Sequence, residues 1–233
     1  MNTKPLVFLD IDDTILDFLK AEDIALRKCL HDMGIEADDA MVKLYSGINV
    51  KYWEMLERNE ITKAQTLTGR FDELLRIIGR SDISGEKCQE VYESYLKIGH
   101  FFMPGAEKLL DNLYGKYRLF LVSNGVYTNQ TSRLESAGIE HYFEGIFISE
   151  KVGAEKPNKE FFDIAFGTID DFSLEDSVII GDSLTSDIKG GKNVGIKTVW
   201  YNYRHKAERE DIIPDYILYS LDDIPALLES IFD

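Results

Sequence analysis

The sequence predicts an α/β fold with a doubly wound parallel-sheet core and an all-helical insertion after the first strand. Three observations carry this reading. Short, continuous apolar runs end in polar residues, helical patterns alternate with them from about residue 101 onward, and between Asp17 and Gly99 apolar residues recur only at helical spacing. Leu6-Val7-Phe8-Leu9 is the first such run, apolar on both faces as a strand inside a parallel sheet must be. In the insertion, Ile24, Leu26 and Leu30, then Leu44, Trp53 and Leu56, then Phe71, Leu74, Leu75 and Ile78, then Val91, Tyr95 and Ile98 predict about four helices. Met103-Pro104-Gly105 marks the return to the core and restarts a helix at Ala106. Strands then follow at Leu119–Val122, Ile146–Ile148, Val178–Ile180, Thr198–Trp200 and, with a weaker pattern, Tyr216–Leu218. Between them, helices are expected over Ala106–Tyr114, Gln130–Ala137, Lys159–Phe166 and Ser186–Asn193. The expected domains are residues 1–16 with 100–233 as the α/β core and 17–99 as the helical insertion.

Composition narrows the class of function. Twenty-six Lys and Arg against 42 Asp and Glu leave a formal charge of −16, a field that repels nucleic acid backbones and anionic lipid surfaces. Neither a nucleic acid polymer nor a membrane is an expected partner, and oligomeric state is not legible. No apolar run approaches the roughly 20 residues that cross a bilayer, and Leu6 to Leu9 is too short for a secretory signal, so the expected location is cytoplasmic. Cys29 and Cys88 lack metal-binding spacing and are expected to be reduced, buried thiols. His31, His100, His141 and His205 are too scattered for a zinc site. A small anionic ligand would therefore need positive potential supplied locally by a metal ion, a lysine or helix N-termini.

Four strand ends offer such chemistry. Asp10 and Asp12 close the first strand, and a period of two would put both on one side, where paired carboxylates call for a cation. Ser123-Asn124-Gly125 closes the second, reading alone as a turn with a helix cap. After the third, Pro157 gives Lys156 a defined direction and Asn158 is placed to cap the next helix. Gly181-Asp182 closes the fourth, with Asp187 five residues on and Ser183, Thr185 and Ser186 available to start a helix. Lys189-Gly190-Gly191 through Gly195 superficially resembles a phosphate loop, but it precedes a strand instead of following one. Its glycines are assigned to close packing and a helix C-cap. Together the strand ends supply paired carboxylates, a hydroxyl with backbone donors, a lysine and further carboxylates, the groups that one metal-assisted phosphoryl-transfer site needs.

Asp10-Ile11-Asp12-Asp13-Thr14, Ser123, Lys156 and Gly181-Asp182 with Asp187 resemble the four ordered motifs of the haloacid dehalogenase (HAD) superfamily over nearly the whole chain. The insertion resembles the helical C1 cap of its subfamily I, on a HAD-like Rossmannoid core. Ile148 to Gly153, Lys156 to Lys159, Thr14 to Phe18 and Gly69-Arg70-Phe71 further resemble the YjjG-type pyrimidine 5′-nucleotidases. The resemblance implies that Asp10 is a nucleophile forming an aspartyl-phosphate and that Asp12 is its general acid and base. It also implies Mg2+ on Asp10, the Asp12 backbone carbonyl and Asp182, with Thr14, Ser123, Asn124 and Lys156 on the phosphoryl oxygens. Asp187 would orient Lys156 or a metal-bound water. Asp12 sets the chain apart from dehalogenases, which lack this second aspartate, and Asp13-Thr14 stands where sugar-phosphate mutases usually carry Gly-Val.

The expected activity is hydrolysis of a small phosphomonoester, a pyrimidine nucleoside 5′-monophosphate first. A sugar-phosphate or phosphoglycolate phosphatase and a catalytically silent binding module are the competing readings. Tyr45, Tyr52, Trp53, Phe71, Tyr92 and Tyr95 are expected mostly to form the core of the insertion, with the remainder available to stack on a base.

Overall fold

The computed structural model describes residues 4–232. In chain order the elements are β1 (Leu6–Leu9), α1 (Phe18–Asp32), α2 (Asp39–Glu57), α3 (Lys63–Ile77), α4 (Gly85–Leu96), α5 (Ala106–Leu113), β2 (Arg118–Ser123), α6 (Tyr127–Ala137), β3 (Gly145–Ile148), α7 (Ser149–Val152), α8 (Lys159–Phe166), β4 (Ser177–Gly181), α9 (Lys189–Val194), β5 (Lys197–Tyr201), β6 (Tyr216–Leu218) and α10 (Ile224–Phe232). They fall into two compact units, Met1–Phe18 with His100–Asp233 and Leu19–Gly99.

All six strands join one parallel sheet in the order β3-β2-β1-β4-β5-β6. Because β1 is central and apolar on both faces, its side chains alternate into two cores. Val7 and Leu9 meet Leu109, Leu110 and Leu113 of α5, Leu134 of α6 and Leu228 of α10. Leu6 and Phe8 meet Phe161, Phe162 and Phe166 of α8 on the opposite face. Helices thus cover both faces of the sheet, as an all-parallel sheet requires. Register sets Leu9 beside Leu121 of β2 and Ile180 of β4, so the ends of these three strands open at one edge. Strand order reverses there, between β1 and β4, where α/β sheets leave a crevice.

The predicted strands all form, and the parallel-sheet core with its helical insertion is the fold the sequence predicts. Three local features differ. The helix expected over Ser186–Asn193 is a wide π-turn, Leu184–Ile188, running into α9, and the Ser183 hydroxyl caps it by accepting from the Ser186 amide at 3.2 Å. Asn158 precedes α8, yet its side chain makes no cap bond. Helices α7 and α10 have no counterpart among the predicted elements. Gly191 packs as expected: a Cβ there would lie 2.5 Å from Ile179 Cγ2 and 2.6 Å from Thr198 Cγ2. Gly195, at φ 82°, ends α9.

The helical unit is organised around a buried polar chain. Glu22 of α1 accepts from Asn49 Nδ2 and Ser46 Oγ of α2 at 2.7 and 2.6 Å. Arg70 of α3 donates to Asn49 Oδ1 at 2.6 Å and to Gln89 Oε1 of α4 at 2.7 Å, which ties all four helices together. Its guanidinium also lies 5.3 to 5.9 Å from the rings of Tyr92, Phe71 and Tyr45, three fully buried aromatics packed on one another. Tyr52, Trp53 and Tyr95 are only half-buried. Cys29 and Cys88 are free, buried thiols, Cys29 donating to the Cys88 carbonyl at 3.3 Å. Among the described residues no helix is long and apolar enough to cross a membrane.

Arg70→Met keeps the apolar stem but strands the Asn49 and Gln89 oxygens. It should lower the unfolding free energy by about 3 kcal/mol in a urea titration, because the partners of a buried charge are left without it. A loss below about 1 kcal/mol would mean that this chain does not hold the helices together.

Candidate active site

Strand β1 delivers Asp10 to the sheet edge, and the Asp10 amide still donates to the Ile180 carbonyl at 3.0 Å, continuing the ladder. Beyond it the strand stops. The Ile11 carbonyl accepts from the amides of Ile15 and Leu16 at 2.9 and 2.8 Å, and Asp13 takes a left-handed φ of 59°. Aspartate tolerates this conformation, and the Asp13 carboxylate secures the turn by accepting from the Phe18 amide at 3.0 Å and from Arg204 at 2.7 Å. The turn also ends the period of two, so Asp10 and Asp12 send their carboxylates to different partners.

Lys156 is the partner of Asp10. Its side chain is 1% exposed, and Nζ donates to Asp10 Oδ1 at 2.7 Å, Asp187 Oδ1 at 2.7 Å and the Val122 carbonyl at 2.9 Å, using all three of its protons. Burial alone would pull the ammonium down, but the two aspartates outweigh it and hold Lys156 above its ordinary value. The Lys156 backbone is fixed separately by Asn124, whose Nδ2 donates to the Lys156 carbonyl while its Oδ1 accepts from the Lys156 amide, both at 2.8 Å. Both ends of the Asn124 carboxamide, expected on phosphoryl oxygens, thus bond to the lysine backbone, leaving one Nδ2 proton beyond this contact.

Asp187 reaches Lys156 because nothing stands in its way. A Cβ on Gly181 would lie 2.2 Å from Asp187 Oδ2, so glycine is required there by the carboxylate that fills the space. The same Oδ2 accepts from the Ser183 amide at 3.1 Å. Asp182 accepts from Lys206 at 2.8 Å, and its carbonyl accepts from Trp200 Nε1 at 2.9 Å.

One carboxylate oxygen from each of Asp10, Asp182 and Asp187 lies within 4.8 Å of the others. Burial, only partly offset by Lys156 and reinforced by Asp187, Asp12 and Asp182, pushes the Asp10 carboxyl well up. Burial also raises Asp182 against the opposing pull of Lys206 and Arg204. Three carboxylates here share two ammoniums, Lys156 and Lys206, and an all-oxygen donor set of this kind fits a hard divalent cation. The Asp12 side chain is outside this cluster, which leaves its backbone carbonyl as the group it could offer.

Ser123 is 2% exposed, its Oγ accepting from the Gly125 amide at 3.0 Å and from Gln130 Nε2 at 2.8 Å. Thr14 is fully buried, and its hydroxyl makes no hydrogen bond among the described residues. A buried hydroxyl in that state suits a ligand oxygen. Asp12 is held by two residues that sequence reasoning missed, Gln130 at 2.6 Å and Arg133 at 2.5 Å. Their only trace in the sequence is a spacing of three on the helix after Ser123, which sets them on one face.

A family model described as haloacid dehalogenase-like hydrolase matches residues 7–201. The HAD-hydrolase YfnB of Bacillus subtilis is 38% identical over 95% of this chain and 94% of its own length. The pyrimidine 5′-nucleotidases PynA of Streptococcus pneumoniae and YjjG of Escherichia coli are 36% and 30% identical, over 94% and 95% of this chain and 92% and 96% of theirs. The crystal structure of magnesium-bound YfnB, which revealed interdomain movement in that protein, matches with a TM-score of 0.92 at 37% identity, covering 97% of this chain and 99% of that one. A 2-haloacid dehalogenase from Pseudomonas syringae matches with a TM-score of 0.64 at 23% identity, a likeness of fold. On sequence, fold and the match over most of its length, this chain belongs to the haloacid dehalogenase-like hydrolase family and is an enzyme of the hydrolase class.

Proposed function

We propose that this hydrolase is a magnesium-dependent phosphomonoesterase that works through an aspartyl-phosphate on Asp10, with pyrimidine nucleoside 5′-monophosphates as its substrates. The observation that carries the reading is the buried Lys156 held between Asp10 and Asp187 beside Asp182 at one sheet edge. Similarity to two proteins named pyrimidine 5′-nucleotidases over nearly the full length supports the substrate class.

In this reading the Asp10 oxygen not held by Lys156 attacks phosphorus, and the ester P–O bond breaks as Asp12 passes a proton to the departing oxygen. Asp12, now a carboxylate, then takes a proton from the water that cleaves the acyl-phosphate, so the cycle returns both aspartates to their starting forms. Lys156 keeps the Asp10 carboxylate in one orientation and places fixed positive charge beside the phosphoryl group. Ser123 and Thr14 offer hydroxyls to its oxygens, and Asn124 acts through Lys156. Asp10, Asp182 and the Asp12 carbonyl would hold magnesium, with Asp187 close enough to join them. When bound, the ion neutralises the crowded carboxylates and withdraws charge from the phosphoryl oxygens.

Asp10→Asn should retain the wild-type circular dichroism spectrum and lose at least about a thousandfold in kcat, since an amide is a poor nucleophile. Activity above a tenth of wild type would exclude Asp10 from that role. For substrate class, kcat/KM should be compared for UMP, dUMP and dTMP against AMP, GMP, glucose 6-phosphate and phosphoglycolate. The pyrimidine nucleotides should lead by at least tenfold, about 1.4 kcal/mol of transition-state preference. A sugar phosphate or phosphoglycolate leading by that margin would overturn the nucleotidase reading while leaving the phosphatase intact, and no turnover of any would overturn both.

A further inference from the structure

The geometry points to Gln130 and Arg133 as positioning residues for Asp12, an inference that rests on the acid and base role given to Asp12 above. Asp12 follows the turn begun at Ile11, and nothing in β1 fixes its side chain. What fixes it comes from α6. Arg133 Nη1 donates to Asp12 Oδ1 at 2.5 Å and to Gln130 Oε1 at 2.9 Å, while Gln130 Nε2 donates to Asp12 Oδ2 at 2.6 Å. Both carboxylate oxygens are therefore held, and the two holding groups are themselves joined.

The same Gln130 Nε2 donates to Ser123 Oγ at 2.8 Å. One amide nitrogen thus bridges the carboxylate assigned the proton and the hydroxyl assigned to the phosphoryl oxygens, fixing the two side chains relative to each other. Gln130 and Arg133 are each 1% exposed, whereas the Asp12 side chain is 27% exposed. A buried, rigid pair gripping a more exposed carboxylate suits positioning. The Arg133 guanidinium also lies 5.8 Å from the Phe18 ring, which supports it from a second side. Gly125 makes the bridge possible, because a Cβ there would meet Gln130 Nε2 at 2.4 Å and Cγ at 2.7 Å.

The pair governs one proton. As the Asp10 oxygen bonds to phosphorus and the ester P–O bond breaks, the Asp12 proton moves to the departing oxygen, and Asp12 becomes the carboxylate that Arg133 and Gln130 hold for the water step. A good leaving group such as p-nitrophenolate departs without that proton, while an alkoxide does not. Misplacement of Asp12 must therefore cost alkyl phosphates more than aryl phosphates, which a general loss of packing would not do.

The test measures kcat/KM for p-nitrophenyl phosphate and for a simple alkyl phosphate with Asp12→Asn, Arg133→Met, Arg133→Lys, Gln130→Met and Gly125→Ala, each checked for its unfolding temperature. Arg133→Met and Gln130→Met should lose about 30- to 100-fold on the alkyl phosphate and at most about threefold on the aryl one. Gly125→Ala, which displaces the Gln130 amide while leaving Arg133 and its buried charge in place, should show the same split even if Arg133→Met fails to fold. Arg133→Lys should recover part of the loss, and Arg133→Met placed on Asp12→Asn should cost nothing further. Equal losses on both substrates, or additive losses with Asp12→Asn, would overturn the inference. Absence of the split in Asp12→Asn alone would instead overturn the role assigned to Asp12.

Discussion

A lysine sealed from water between two aspartates is the constraint to which the α/β unit answers. Burying the Lys156 ammonium is costly unless its protons are all matched, and Asp10, Asp187 and the Val122 carbonyl match them. Each partner comes from a different stretch of chain, so one ammonium fixes the ends of β1 and β2 and the turn after β4 relative to one another. Removing it would leave two buried carboxylates facing each other, a loss on the order of 3–5 kcal/mol. The sheet order that sets β1 between β2 and β4 is what allows these groups to meet.

Residues with no chemistry of their own follow from that contact. Gly181 is glycine because the Asp187 carboxylate occupies the position of a Cβ. Asn124 holds the backbone of Lys156, and Asp13 accepts a left-handed conformation to turn the chain out of β1. On the proposed reading, catalysis uses what the fold already needs. Lys156 satisfies the structure and orients the nucleophile, and the carboxylate excess around it is the reason for a divalent cation.

Much of the fold was legible in the sequence because a strand buried on both faces must be a continuous apolar run. Leu6–Leu9, Leu119–Val122 and Val178–Ile180 could hardly be anything else between helical patterns. Helix α7 is four residues long and too short for a period, and the π-turn at Leu184–Ile188 is produced by the Ser183 and Asp187 contacts, not by local propensity. Helix α10, with Pro225 near its start and Ile224, Leu227, Leu228 and Ile231 at helical spacing, carried a readable signal. At the site, residue types at strand ends marked Asp10, Ser123, Lys156 and Asp182, since parallel strands place their ends together. Which atom each side chain touches was not legible. Asn124 turned to the lysine backbone, and Gln130 with Arg133 became visible only once α6 was packed beside β1.

Asp10 and Asp187 share the single ammonium of Lys156, and on the proposed reading a divalent cation balances the remaining negative charge. Thermal unfolding of wild type and Asp182→Asn, each with chelator and with saturating magnesium, tests it most directly, because an ion that binds only the folded state raises the melting temperature. Magnesium should raise the wild-type melting temperature by about 5–10 °C and that of Asp182→Asn little or not at all. An equal rise in both proteins, or no rise in either, would contradict it.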